Sequence, residues 1–133
     1  MKTNIIAKAI ALATLALSFN AAAFAAPGND PSDNDNSAST RYILYEYDHV
    51  NSNTTDVWTV TLHRGETFIV EVIGDGDTDL DLYVYDENDN LIDKDIELDD
   101  HPVCIVSPKW TGTFRIKIKN RGNVYNNYLI KVY

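Results

Sequence analysis

Gly74-Asp75-Gly76-Asp77-Thr78-Asp79-Leu80-Asp81-Leu82-Tyr83-Val84-Tyr85-Asp86 runs a loop of alternating acids straight into a strand. From Leu80 onward the period is two. Leu80, Leu82 and Val84 fall on one face and Asp81, Tyr83 and Tyr85 on the other, as a strand with one buried and one wet face requires. Such a strand needs neighbours of the same period, and the chain supplies them on both sides.

Upstream, Arg41 to Tyr47 is rich in β-forming residues, and Val57 to Leu62 places Trp58, Val60 and Leu62 on one face. Thr67 to Ile73 does the same with Phe68, Val70 and Val72. His63-Arg64-Gly65-Glu66 lies between these last two runs, with a glycine where a tight turn needs positive φ, so they are expected to pair as a hairpin. Downstream, Asp86-Glu87-Asn88-Asp89-Asn90 is a turn rich in residues that tolerate left-handed backbone, and Leu91-Ile92 after it predicts a second hairpin with Leu80 to Tyr85. Asp93 to His101 reads as an exposed connection. Pro102 limits ladder pairing before the sheet resumes at Val103 to Val106. Thr113 to Lys119 alternates most regularly, with Phe114, Ile116 and Ile118 inward and Thr113, Arg115, Lys117 and Lys119 outward. After the turn Asn120-Arg121-Gly122-Asn123, a last inner face is formed by Tyr128, Ile130 and Val132. No helical period appears. Seven or eight short strands with frequent turns predict an all-β fold, an antiparallel β-sandwich of jelly-roll-like type in a single domain over residues 41–133.

The N-terminal segment is of another kind. Lys2 and Lys8 flank and precede an apolar run from Ala9 to Phe19, and Ala23-Phe24-Ala25 follows as a small-x-small site. This is the pattern of a secretory signal peptide over residues 1–25, cut after Ala25, with an apolar run about half the ~20 residues of a membrane-spanning helix. Export to the periplasm or the medium is expected. The only cysteine, Cys104, is far from that site, which argues against a lipid anchor. Residues 26–40 are Pro, Gly, Asn, Asp and Ser with little to bury and read as a flexible acidic leader.

The whole chain of 133 residues has a net charge of −9. Without Lys2 and Lys8, nine basic residues face twenty acidic ones, a balance of about −11. Such a surface repels phosphate backbones and anionic lipid, which argues against nucleic-acid partners and membrane insertion. One cysteine allows no internal disulfide, and its setting in Val103-Cys104-Ile105-Val106 predicts a buried, inert thiol.

The residues that carry chemistry are oxygens and rings. Calcium takes six to eight oxygens, and closely spaced Asp in a Gly-bearing loop can offer them. Asp75, Asp77, Asp79 and Asp81 are therefore the candidate metal ligands, with Asp99 and Asp100 as contributors from the connection. The loop is not an EF-hand: counted from Asp75, its sixth position is Leu80, and no Glu stands at the twelfth. The alternative is a solvated acidic turn. His49, His63 and His101 lack metal-ligand spacing, no Ser in residues 26–133 has a nucleophile-elbow context, and Cys104 has no indicated base, so no catalytic residue is assigned and an enzyme is not expected. Eight tyrosines exceed what a small core needs. Tyr83 and Tyr85, opposite the inner face of their strand, are candidate ligand-binding residues for an extended peptide or a sugar, with Tyr42 and Tyr133 as further exposed rings.

Asp79-Leu80-Asp81-Leu82-Tyr83-Val84-Tyr85, Thr111-Gly112-Thr113-Phe114-Arg115-Ile116-Lys117-Ile118 and Tyr128-Leu129-Ile130 together resemble the bacterial pre-peptidase C-terminal domain family. The likeness runs from about Asp56 to Tyr133 and includes the Trp58 to Val72 segment with Gly65 in its turn. It implies a β-sandwich of the kind appended to secreted peptidases, where it aids secretion, targeting or substrate attachment. Related collagen-binding domains of secreted collagenases are calcium-stabilised. Here no peptidase accompanies the domain. The expected role is an exported monomeric binding or accessory module for an extracytoplasmic protein or polysaccharide. Its alternatives are a calcium-stabilised structural or adhesion component and a small secreted hydrolase inhibitor.

Overall fold

The computed structural model describes residues 5–8 and 40–133. The signal and leader read over residues 1–40 thus lie outside the described residues, apart from Thr40 and one short strand, β1 (Ile5–Lys8), whose backbone runs parallel beside β3 (Thr55–Leu62). The rest of the domain is β2 (Leu44–Val50), β4 (Phe68–Gly74), β5 (Leu80–Tyr85), β6 (Leu91–Asp95), β7 (Val103–Val106), β8 (Gly112–Asn120) and β9 (Asn126–Val132). One sheet has the order β1-β3-β8-β5-β6 and the other β2-β9-β4-β7.

The pairings β2–β9, β3–β8, β4–β7 and β5–β6 are all antiparallel and nest one inside the next around the β5–β6 turn. A long two-stranded ribbon has been folded over so that its strands alternate between two sheets, which is the jelly-roll arrangement. Only its tip is a local hairpin. The Asp86 side chain shapes that tip, accepting from the Asn88 and Asn90 backbone N–H groups at 2.8 and 2.9 Å and from Asn90 Nδ2 at 2.8 Å. Asp89 takes the left-handed backbone at φ 64.

The expected hairpin between Val57–Leu62 and Thr67–Ile73 is not formed: β3 pairs with β8, while β4 pairs with β7 and β9 in the opposite sheet. The turn itself is present, with Gly65 at φ 83 and Glu66 N–H bonded to His63 O at 3.4 Å. It carries the chain across the sandwich. Period and turn residues mark where a strand ends and which face is buried, but the partner is chosen by the apolar face of the whole ribbon.

The core is where the two inner faces meet. Trp58, Val60, Leu62, Leu80, Leu82, Val84, Phe114, Ile116 and Ile118 come from one sheet, and Val70, Val72, Cys104, Val106, Tyr128, Ile130 and Val132 from the other. Full burial of such side chains contributes roughly 1.5–3 kcal/mol each. Three buried polar groups form a chain at this layer: Trp58 Nε1 donates to Tyr128 Oη at 2.8 Å, and Tyr128 Oη donates to Asp56 at 2.9 Å.

Candidate functional site

The acidic stretch closes one end of the sandwich, between β4 and β5 and against the connection that follows β6. Gly74 lets the chain enter it: a Cβ there would lie 2.7 Å from Asn126 Oδ1 and 2.8 Å from Asp100 Oδ2. Gly76, at φ 90, turns its N–H onto the Asp100 carboxylate. The backbone of the connection completes the corner, with Gly74 N–H bonded to Asp100 O at 2.8 Å and Leu80 N–H to Asp99 O at 2.9 Å.

The four candidate ligands go to different places. Asp75 faces β9, where its carboxylate accepts from Asn127 N–H at 2.9 Å and Asn127 Nδ2 at 2.8 Å, and the Asn127 backbone bond is foremost in holding its pKa below the usual carboxylate range. Asp81 lies under the outer sheet surface, accepting from Tyr83 Oη at 3.0 Å with Arg121 Nε at 3.7 Å. Asp77 and Asp79 line a hollow of about 320 Å³ together with Asp99 and Asp100. Asp79 Oδ1 is buried there without a hydrogen-bond partner, and burial, then the Asp81 charge, pushes its carboxyl pKa up. Asp77, Asp79, Asp99 and Asp100 are brought together; Asp75 and Asp81 are turned away. Among the described residues no three His, Cys, Asp or Glu side chains stand close enough to share one metal ion. The orphaned oxygen of Asp79 suits a cation, but the side chains as arranged do not supply a closed calcium shell.

Tyr83 and Tyr85 stand on the outer face of the five-stranded sheet, with ring centroids 6.4 Å apart and planes 24° from parallel. Register sets the cations of β8 beside them, Tyr83 opposite Lys117 and Tyr85 opposite Arg115, and Lys117 Nζ lies 4.5 Å from the Tyr85 ring centroid.

The other sheet holds a feature that the sequence reading passed over. Along β2, Tyr45, Tyr47 and His49 point outward at alternate positions, and Tyr47 is 72% exposed. Tyr42 meets Tyr45 edge-on at 5.1 Å and Tyr133 at 5.4 Å, while Tyr45 meets Tyr47 at 6.1 Å. The Tyr47 end of this row of four rings lines an open groove of about 680 Å³, whose other walls include Ile73, Leu129, His49, Asp75 and Asn127. The signal was the alternation Tyr45-x-Tyr47-x-His49, which marks an outward face as firmly as an inward one.

The remaining chemical groups do not converge. His101 bonds Glu71 at 2.8 Å, His49 lies 3.5 Å from Asp48, and His63 sits in the β3–β4 turn. Cys104 is buried as expected, and burial pushes its thiol pKa to about 12.

The eight strands β2–β9 form a jelly roll, which is the fold of a pre-peptidase C-terminal domain, as the resemblance implied. The crystal structure of the pre-peptidase C-terminal domain of a collagenase from Bacillus anthracis superposes with a TM-score of 0.59 over 68% of this chain and 88% of that one, at 14% sequence identity. No family model matches the chain, and no curated protein matches it.

Proposed function

We propose that the chain is an exported, non-catalytic binding module that lays an extended polymer along the outer face of its four-stranded sheet. The observation that carries this reading is the row of Tyr42, Tyr45, Tyr47 and Tyr133 beside the Ile73–Leu129 groove. Rings on edge present apolar area with a hydroxyl at the rim, and they lose little conformational freedom on binding because each is already held by its neighbour. An extended polypeptide or a neutral polysaccharide matches such a strip. The fold supports an accessory role, and the signal pattern of residues 1–25 supports export.

The test is retention of the chain on immobilised gelatin, cellulose and chitin. Retention on one of them that falls at least tenfold in Tyr45→Ser/Tyr47→Ser, with an unchanged melting temperature, supports the reading; retention on none, or no loss in the double variant, sinks it. A second reading, a calcium-stabilised structural component, is favoured by the unpartnered Asp79 oxygen.

A further inference from the structure

The two outer sheet faces differ in charge. Five of the chain's eleven lysines and arginines, Lys94, Arg115, Lys117, Lys119 and Arg121, lie on or beside the outer face of the five-stranded sheet, in a protein of net charge −9. The ladder places them in rows: Lys94 and Lys117 flank Tyr83, Arg115 adjoins Tyr85, and Lys119 adjoins Asp81. Two of the five are matched by carboxylates, Arg115 by Asp89 at 2.6 Å and Arg121 by Asp81 at 3.7 Å. Among the described residues Lys94, Lys117 and Lys119 have no carboxylate within ion-pair distance.

The acids of the neighbouring strands are turned elsewhere. Asp93 and Asp95 of β6 point across to β7, accepting from Ile105 N–H and Val103 N–H at 2.9 Å each, and Asp81 is held beneath Tyr83. Lys117 Nζ thus rests on one of two stacked rings with Lys94 and Lys119 on the same face, while the two carboxylates that reach this face, Asp81 and Asp89, are each engaged by an arginine. Collecting like charges on one face of an acidic protein costs energy unless an anion meets them.

We propose that this face binds an acidic polysaccharide, with the carboxylates of its uronic-acid units on Lys94, Lys117 and Lys119 and a sugar ring against Tyr83 and Tyr85. Successive outward residues on β8 are about 6.8 Å apart, so Lys117 and Lys119 engage separate charges along one chain rather than a single carboxylate. Sugar C–H faces suit the rings, and the flat sheet suits an extended polymer. The net negative charge of the rest of the protein opposes nucleic acid, whose charges are denser and unshielded by sugar hydroxyls. This surface is separate from the β2 groove, and its failure leaves the β2 reading untouched.

Polygalacturonate and its methyl ester share one backbone and differ in charge, and they serve as the probes. Binding of the full chain to polygalacturonate at low salt is expected, with at least tenfold weakening on esterification and a decline as salt rises. Lys117→Gln/Lys119→Gln is expected to weaken it at least tenfold, and Tyr83→Ser/Tyr85→Ser to weaken it with less change in salt dependence. Circular dichroism and melting establish that each variant is folded; should the tyrosine pair unfold, Lys94→Gln, on an exposed edge, replaces it. No binding to polygalacturonate, equal binding to the ester, unchanged binding in the lysine variant, or equal binding to single-stranded DNA of the same charge overturns the proposal.

Discussion

At the scale of single residues, the acidic loop contains opposite electrostatic situations four positions apart, at Asp75 and Asp79. Asp75 is charged and well served by Asn127, so its contribution to stability is present above the ordinary carboxyl value and is lost as pH falls through its lowered native value. Asp79 is the reverse. Its native pKa is raised above the ordinary 3.8, so the cost of its charge is absent below that value and grows as pH rises through the native one. Asp79→Asn in chelator is therefore expected to raise the melting temperature at pH 7 by a few degrees, the effect of about 1 kcal/mol on a domain of this size, and the gain should vanish below about pH 3.8. A gain that persists unchanged at pH 3 would disprove the electrostatic account. Millimolar calcium offers a second comparison: if the ion uses the orphaned oxygen, it stabilises the parent protein and not the variant, whereas coincident shifts in both leave the hollow without a specific ion. Asp75, Asp77, Asp79 and Asp81 were legible as an acidic cluster in sequence. Asp99 and Asp100 were named beside them, but which of the four turn toward that pair was not legible, because it depends on how the loop closes against the connection and on Asn127 drawing Asp75 to β9.

At the scale of elements, burial was readable wherever the period was two, and partners were readable only where they were local. Phe114, Ile116 and Ile118 fall inward as their alternation requires, and β5 and β6 pair across the Asp86–Asn90 turn. The β3–β4 turn has equally good turn chemistry yet joins opposite sheets, so a turn signal alone does not distinguish a hairpin from a crossing. β6 and β7 are the edge strands on one side of the sandwich, and neither pairs with the other by a backbone ladder. Asp93 and Asp95 bridge them by occupying the outward N–H groups of Ile105 and Val103. Replacing both with Ala is expected to lower stability by about 1 kcal/mol per lost bond in urea denaturation, discounted for partial exposure. It should also cause concentration-dependent light scattering, because β7 then presents free donors next to Ile105, which is 62% exposed. A monodisperse double variant would show that the carboxylates do not guard that edge.

At the scale of the whole molecule, one core layer draws side chains from every strand between β2 and β9 except the edge strand β6, so a defect near its centre is felt throughout. Leu82 is fully buried in the strand that opens the innermost hairpin, and Leu82→Ala should cost about 2–5 kcal/mol in denaturant unfolding, with fluorescence and circular dichroism transitions coinciding. Separated transitions would mean that the two sheets unfold independently. The closed ribbon has a further consequence under load. Leu44, which begins β2, lies directly opposite Val132, which ends β9, so both attachment points sit at the same end of one ladder. Tension between them acts across the strands rather than along them and breaks the β2–β9 hydrogen bonds one at a time, like a zip. Held at both ends, the sandwich is therefore a soft link that yields at low force and takes the tyrosine row with it, whereas a load carried through a polymer lying along β2 pulls parallel to the strands and meets all of those bonds together.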